Sequence, residues 1–250
     1  MLKVNINNIS IHNASDQLLI LKSINFELFR GKIYTILGKN GSGKSTLIKS
    51  LTGLLNKNLF TVEGEVIFDN NDILKCGVEK LREIRLNKIR YVFQDSVNSF
   101  DPLKTFKYYF DSANIDKNII NEQLEYFLLP DYGDTSTLYP YEVSGGMAQR
   151  LALVISMLIN PQLLILDEPT SGIDYTIANL LLLRLQEFTQ KENGTALIVT
   201  HDIGFAEKIS DELAFLTEGT ITGFSPKKNF FKENDIEQLN SFINAYKEIK

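Results

Sequence analysis

Eight consecutive residues, Gly38-Lys-Asn-Gly-Ser-Gly-Lys-Ser45, fit the spacing GxxxxGK[ST]. Glycines at such positions let backbone N–H groups turn inward around phosphate oxygens, at a helix N-terminus whose dipole favours anions. Lys44 would reach the outer phosphates of a nucleotide, and the Ser45 hydroxyl would ligate Mg²⁺. The phosphate-binding set is read as Gly38, Lys39, Asn40, Gly41, Ser42, Gly43, Lys44, Ser45 and Thr46. Much later, Leu163-Leu-Ile-Leu-Asp167-Glu168-Pro-Thr170 sets two carboxylates at the end of an apolar run. Asp167 suits the Mg²⁺ shell, and Glu168 can orient and deprotonate an attacking water. Adjacent acids there could also simply cap the next helix. His201 closes the apolar run Ala196–Thr200, from which it could point at the outermost phosphate. His12 has no comparable setting and reads as a surface residue.

These residues need elements to hold them. Ile33–Leu37 before the glycine run reads as a short buried strand, and Leu47, Ile48, Leu51, Leu54 and Leu55 after it recur at helical spacing. Leu163–Leu166 and Ala196–Thr200 read as strands buried on both faces. In parallel α/β sheets, ligands sit at the C-terminal ends of such strands. Val4, Ile6, Ile9 and Ile11 predict a first strand with a slip in its alternation, and Leu19–Leu28 a second. Glu63–Asp69, then Asn70–Asn71, then Asp72–Leu74 read as a hairpin with an Asp-Asn-Asn turn. Between Gln94 and Leu151 aromatic residues mix with Asp, Asn and Lys at helical periods, which predicts an inserted helical subdomain. Ile236, Leu239, Phe242, Ile243 and Tyr246 predict an amphipathic terminal helix. The expected organisation is 1–94 with 151–232 as the core, 95–150 as the helical subdomain and 233–250 as a tail.

Composition narrows the classes. With 250 residues, 44% hydrophobic and 23% charged, the chain excludes disorder and collagen-like repeats. A net charge of −5 argues against a protein that coats nucleic acid by charge alone. Cys76 is the only cysteine, so there is no disulfide and no cysteine-based metal site, and a reducing compartment is expected. Leu151–Ile159 and Leu180–Leu185 fall far short of the roughly 20 residues that span a bilayer. The start, MLKVNINNIS, has no signal-peptide core. A soluble chain that reaches a membrane through partners is the expectation.

Further motifs in register give a specific resemblance. Val143-Ser-Gly-Gly-Met-Ala-Gln-Arg150 resembles the signature motif of ABC ATPases, Gln94 in Tyr91-Val-Phe-Gln-Asp95 their Q-loop, Ser171-Gly-Ile-Asp174 their D-loop and His201 their switch histidine. The resemblance implies a P-loop NTPase core of the RecA-like α/β kind, with a small antiparallel β subdomain and an inserted α-helical subdomain. It implies ATP and Mg²⁺ as cofactors, with Ser45, Asp167 and Gln94 around the metal, partly through water. Glu168, His201 and Gln94 become the catalytic set, and Asp174 joins the nucleotide contacts. Ser144, Gly145 and Gly146 would meet ATP held by a partner subunit, in trans, so that two ATPs are sandwiched in a head-to-tail dimer. Gln94 would couple phosphate contact to rotation of the helical subdomain.

A finer resemblance concerns one importer branch, which takes up oligopeptides, dipeptides, nickel and metal-bound metallophores. Phe93-Gln-Asp-Ser-Val-Asn-Ser-Phe-Asp-Pro102 and Tyr139-Pro-Tyr-Glu-Val-Ser-Gly-Gly-Met147 are similar to its motifs, Met147 in place of the usual Gln included. This implies an ATPase subunit at the cytoplasmic face of the plasma membrane. Its partners would be a second ABC ATPase, paralogue or self, two permease subunits and, indirectly, an external substrate-binding protein. No nucleic acid is expected. The surface around Ser96–Pro102 and the aromatics Tyr108–Phe110 would receive a permease helix, although that aromatic cluster reads equally as subdomain core. Two departures stand out. Asn13 lies where many relatives stack an aromatic on adenine, and the chain stops at Lys250 where many peptide importers run on, which tilts the expectation toward nickel or metallophore members. Two other readings remain: a soluble ABC ATPase of iron–sulfur cluster assembly, which lacks the two branch motifs, and a nucleic-acid ABC ATPase, which predicts a coiled-coil insertion or a second cassette.

Overall fold

A computed structural model describes residues 1–12, 17–191, 193–232 and 237–247. Strand β1 (Leu2–His12) buries Leu2, Val4 and Ile6 in strict alternation. Its register then shifts between Ile6 and Asn8, and Ile9 and Ser10 become the buried pair. The slip in the sequence pattern is thus a β-bulge. Strand β2 (Gln17–Leu28) lies antiparallel to β1. Strand β3 (Ile33–Leu37, with Tyr34 and Thr35) is buried at every position. Helix α1 (Lys44–Leu51) buries Leu47, Ile48 and Leu51 but stops there, short of Leu54 and Leu55. Gly53 adopts φ +63°, and Arg85 donates from Nε to Thr52 O at 2.8 Å, satisfying a carbonyl at the frayed end.

Strands β4 (Phe60–Phe68) and β5 (Asn71–Asp72) form the expected hairpin with shifted bounds. The turn is Asp69–Asn70, at φ +43° and +65°, because Phe68 pairs with Asn71. Two consecutive left-handed residues match the twist of a two-residue hairpin loop. The outgoing strand starts earlier than the alternation suggested, and the return strand ends at Asp72 rather than Leu74. The resulting antiparallel sheet runs β2-β1-β4-β5.

Helix α2 (Val78–Asn87) leads into β6 (Ile89–Val92). There follow α3 (Phe106–Ala113), α4 (Lys117–Tyr126), α5 (Tyr132–Thr137), a 3₁₀ turn at Pro140–Glu142 and α6 (Gly145–Leu158). Phe106, Phe110, Ile120, Leu124 and Phe127 pack with Leu151 and Val154 of α6, and that apolar cluster continues into Leu164 and Leu166. The expected boundary between 150 and 151 therefore falls inside α6, whose apolar face serves the helical region and the sheet alike.

The remaining elements complete the larger sheet: β7 (Leu163–Asp167), α7 (Tyr175–Gln190), β8 (Thr195–Thr200), α8 (Ile203–Ile209), β9 (Glu212–Thr217), β10 (Thr220–Ile221), β11 (Ser225–Pro226), α9 (Lys227–Phe230) and α10 (Glu237–Lys247). Strands β9, β3, β8, β7 and β6 run parallel in that order, with β10 and β11 antiparallel on β9. Leu37 pairs with Thr200, and Asp167 with Val199. The glycine run, the carboxylate pair and His201 thus leave the same sheet edge from adjacent strands. In α10, Leu239 and Ile243 are buried against Leu37, Ile203 and Phe215, so the terminal helix is docked on the core. Ile236, also assigned to that helix from spacing, lies outside the described residues. Among the described residues, no helix is long and apolar enough to cross a membrane.

Candidate functional site

The loop after β3 is held open by its glycines. Gly41 and Gly43 have φ +81° and +99°, and a Cβ on Gly38 would lie 2.6 Å from Leu216 O. The first helical hydrogen bond runs from Leu47 N–H to Gly43 O at 2.9 Å, so the amides just before it are not spent within α1. Ser42 Oγ is buried within this loop with no hydrogen-bond partner. Free amides, an orphaned hydroxyl and a helix N-terminus together fit a phosphate group.

Lys44 is 5% exposed, and its ammonium donates to Gly38 O at 2.9 Å and Lys39 O at 3.2 Å. It also pairs with Glu168 Oε1 at 3.2 Å. The other oxygen of Glu168 accepts from Thr200 Oγ1 at 2.9 Å and from His201 N–H at 3.2 Å, and lies 2.9 Å from His201 Nδ1. Burial alone would raise the Glu168 pKa, but the bonds from His201 and Thr200 and the charge of Lys44 outweigh it and hold the carboxyl below the usual glutamate value. Glu168 sits at φ +47°, a conformation that costs a non-glycine residue roughly 1–3 kcal/mol. Its backbone is fixed there by Glu168 N–H to Val199 O at 2.9 Å and Ser171 N–H to Glu168 O at 3.0 Å.

Beside it, Asp167 Oδ1 accepts from Ser45 Oγ at 3.3 Å and Oδ2 from Tyr91 OH at 2.9 Å. Burial pushes the Asp167 pKa up, with the neighbouring Glu168 charge adding to it and the two hydrogen bonds opposing it. A hydroxyl and a carboxylate oxygen converging at one point form a hard-oxygen donor pair suited to Mg²⁺.

These groups border one cleft of about 650 Å³, lined by Asn40, Gly41, Gly43, Lys44, Ser45, Thr46, Gln94, Glu168 and His201 on the polar side. Its apolar side is Leu18, Leu19 and Ile20 of β2. Leu18 and Leu19 are 61% and 49% exposed, which is unusual for leucines on a strand and gives the cleft a greasy wall where no aromatic is present. The spacing of β2 had assigned no role to these leucines. Asn13 lies outside the described residues.

Two expected site segments do not reach this cleft. Ser144 caps α6, accepting from Met147 N–H at 3.2 Å, and its segment faces solvent. The start of α6 lies beside the loop after β7, where a Cβ on Gly146 would be 3.4 Å from Gly172 O, and Gln149 Nε2 donates to Pro169 O at 2.8 Å. Asp174 caps α7 by accepting from Ile177 N–H at 3.0 Å. His12 lies 2.6 Å from Thr61 Oγ1 on the surface.

The match to the family described as ABC transporter covers residues 21–171. The chain belongs to that family. It is similar to the dipeptide transport ATP-binding protein DppD of Bacillus subtilis, 28% identical over 84% of this chain and 66% of the relative. It is also similar to the oligopeptide transport ATP-binding protein AmiE of Streptococcus pneumoniae, 30% identical over 84% of this chain and 62% of that relative. The chain thus spans under two thirds of the length of these relatives. Among solved structures, the ATP-binding cassette MJ0796, as a post-hydrolysis dimer bound to ADP and Pi, matches at TM-score 0.79 with 25% identity, covering 91% of this chain and 99% of that one. The cassette cbiO1 of Clostridium perfringens, part of an ABC transporter complex, matches at TM-score 0.72 with 27% identity, covering 99% and 97%.

Proposed function

We propose that this chain is the ATP-binding and ATP-hydrolysing subunit of an ABC importer, bound peripherally at the cytoplasmic face of the membrane. The observation that carries the reading is the Lys44–Glu168–His201 chain beside Ser45–Asp167, all around one phosphate loop. In this reading, phosphates take the loop amides and draw the Lys44 ammonium off Glu168. Glu168, still held by Thr200 and His201 on its second oxygen, is then free to orient and deprotonate water. A bound Mg²⁺ would neutralise phosphate charge beside Ser45 and Asp167, with Gln94 completing the surround. Ser144, Gly145 and Gly146, outside the cleft of their own chain, would supply the exposed start of α6 to the ATP of a second subunit. Asp174 would act at that interface through the loop it anchors.

The relatives' names support a peptide cargo, and the segments Phe93–Pro102 and Tyr139–Met147 support the same branch. The leaning toward nickel or metallophores rested on where the chain stops, and nothing in the site adds to it. The partners would be a second ABC ATPase and two permeases, with an external binding protein acting through them. Around the expected docking surface, Tyr109 OH accepts from Asp101 N–H at 2.6 Å and Phe110 is fully buried, while Leu103 and Tyr108 are exposed. The cluster is therefore core on one side, while Leu103 and Tyr108 offer a permease helix an apolar contact.

The test is co-purification. The tagged chain should bring down two multi-span proteins and gain ATPase activity in their presence. A chain that recovers only iron–sulfur assembly factors and hydrolyses ATP without membrane proteins would favour the soluble alternative.

A further inference from the structure

The mechanism above leaves one half-buried contact beside Asp167 unused. Tyr91 stands on β6, and its hydroxyl donates to Asp167 Oδ2 at 2.9 Å, across 76 positions of sequence. The Tyr91 ring is braced by Phe93, with centroids 4.2 Å apart and planes at 56°. Parallel pairing of Val92 with Leu166 fixes this strand against β7 just before both reach the cleft. Because Oδ2 is occupied, Oδ1 is the oxygen left beside Ser45 Oγ on the cleft side. A carboxylate with one oxygen tied back cannot rotate to offer both, so a cation meets a single oxygen in a fixed direction.

We propose that Tyr91 is a positioning residue for the cation: through Asp167 it fixes the direction of the metal-facing carboxylate oxygen and so sets how tightly the metal–nucleotide complex is held. The inference rests on the nucleotide reading of the cleft. Tyr91 also lies three residues before Gln94, on the strand that runs into it, so one short segment carries both the brace of Asp167 and a side chain that lines the cleft.

Tyr91→Phe deletes only the hydroxyl and keeps the ring against Phe93. ADP affinity should be measured by calorimetry in Mg²⁺ and in EDTA, with Mn²⁺ binding to the protein–ADP complex followed by EPR. Loss of an outer hydrogen bond to a metal-ligating carboxylate weakens metal affinity by roughly 10–100-fold. The expected result is about tenfold weaker Mn²⁺ binding and weaker ADP binding in Mg²⁺, with ADP affinity in EDTA equal to the parent. Unchanged Mn²⁺ affinity with a lowered melting temperature would make the hydroxyl a simple tie between strands and overturn the proposal. An equal loss in EDTA would place its effect on the loop and overturn it as well. Lys44→Ala in the same titration separates the two layers: if that variant keeps full ADP affinity, the nucleotide reading itself fails, whatever Tyr91 does.

Discussion

The two regions that the proposed function directs at phosphate are built in opposite ways. Beside the glycine loop the charged side chains are spent on one another and on nearby hydroxyls: Lys44 on Glu168, Glu168 on Thr200 and His201, Asp167 on Ser45 and Tyr91. At the start of α6, the segment from Ser144 to Gly146 offers an exposed helix end with a single internal cap. A self-paired site must be entered by displacement, so its ligand has to supply charge that competes with Glu168 for Lys44. An open helix end has nothing to displace and nothing of its own chain to bind. The contrast fits a molecule in which binding and completion of the site are separate events on separate subunits.

The sharpest way to break that contrast is at Glu168. Glu168→Gln keeps the size and one acceptor oxygen but removes the base, and turnover should fall roughly 10²–10⁴-fold. The same change removes the anion that holds Lys44, so ATP affinity should be kept or rise. A variant that hydrolyses ATP at the parental rate would show that Glu168 is not the base. Lys44→Ala attacks the other end of the pair. It removes charge-assisted bonds worth roughly 1.5–3 kcal/mol each and should weaken ATP binding about 100-fold or more in a fluorescent-nucleotide titration. A loss below threefold would count against the nucleotide reading of the cleft.

A smaller effect concerns the base. Among the described residues Leu18 and Leu19 give the cleft an apolar wall with no ring, so GTP should compete with ATP within about tenfold. Leu19→Ala should weaken both nucleotides by a similar factor, about tenfold, since a truncated aliphatic contact is worth roughly 1–3 kcal/mol. Thousandfold preference for ATP would show that another residue reads adenine.

Much of this was legible in local sequence. The glycine loop, the strands at Ile33–Leu37, Leu163–Leu166 and Ala196–Thr200, and the bulge in the first strand follow from spacing alone, because each is set within a few residues. The end of α1 was not, because Leu54 and Leu55 continue the helical period while Gly53 turns the backbone left-handed before them. The hidden parts of the site share one cause. Tyr91 to Asp167 and Thr200 to Glu168 join residues far apart in sequence, and they meet only because β6, β7 and β8 are neighbours in one parallel sheet. Leu18 and Leu19 carried no signal either, since an exposed leucine on a strand is written like a buried one.

In the proposed dimer the exposed start of α6 completes the loop of another subunit. The direct measurement is the mass of the Glu168→Gln chain by light scattering with size exclusion, alone and with its partner ATPase, with and without ATP and Mg²⁺. The account predicts a dimer that appears only with ATP and disappears in Ser144→Arg, while that variant still binds nucleotide. A persistent monomer with ATP bound, together with parental ATPase turnover that does not depend on protein concentration, would contradict it.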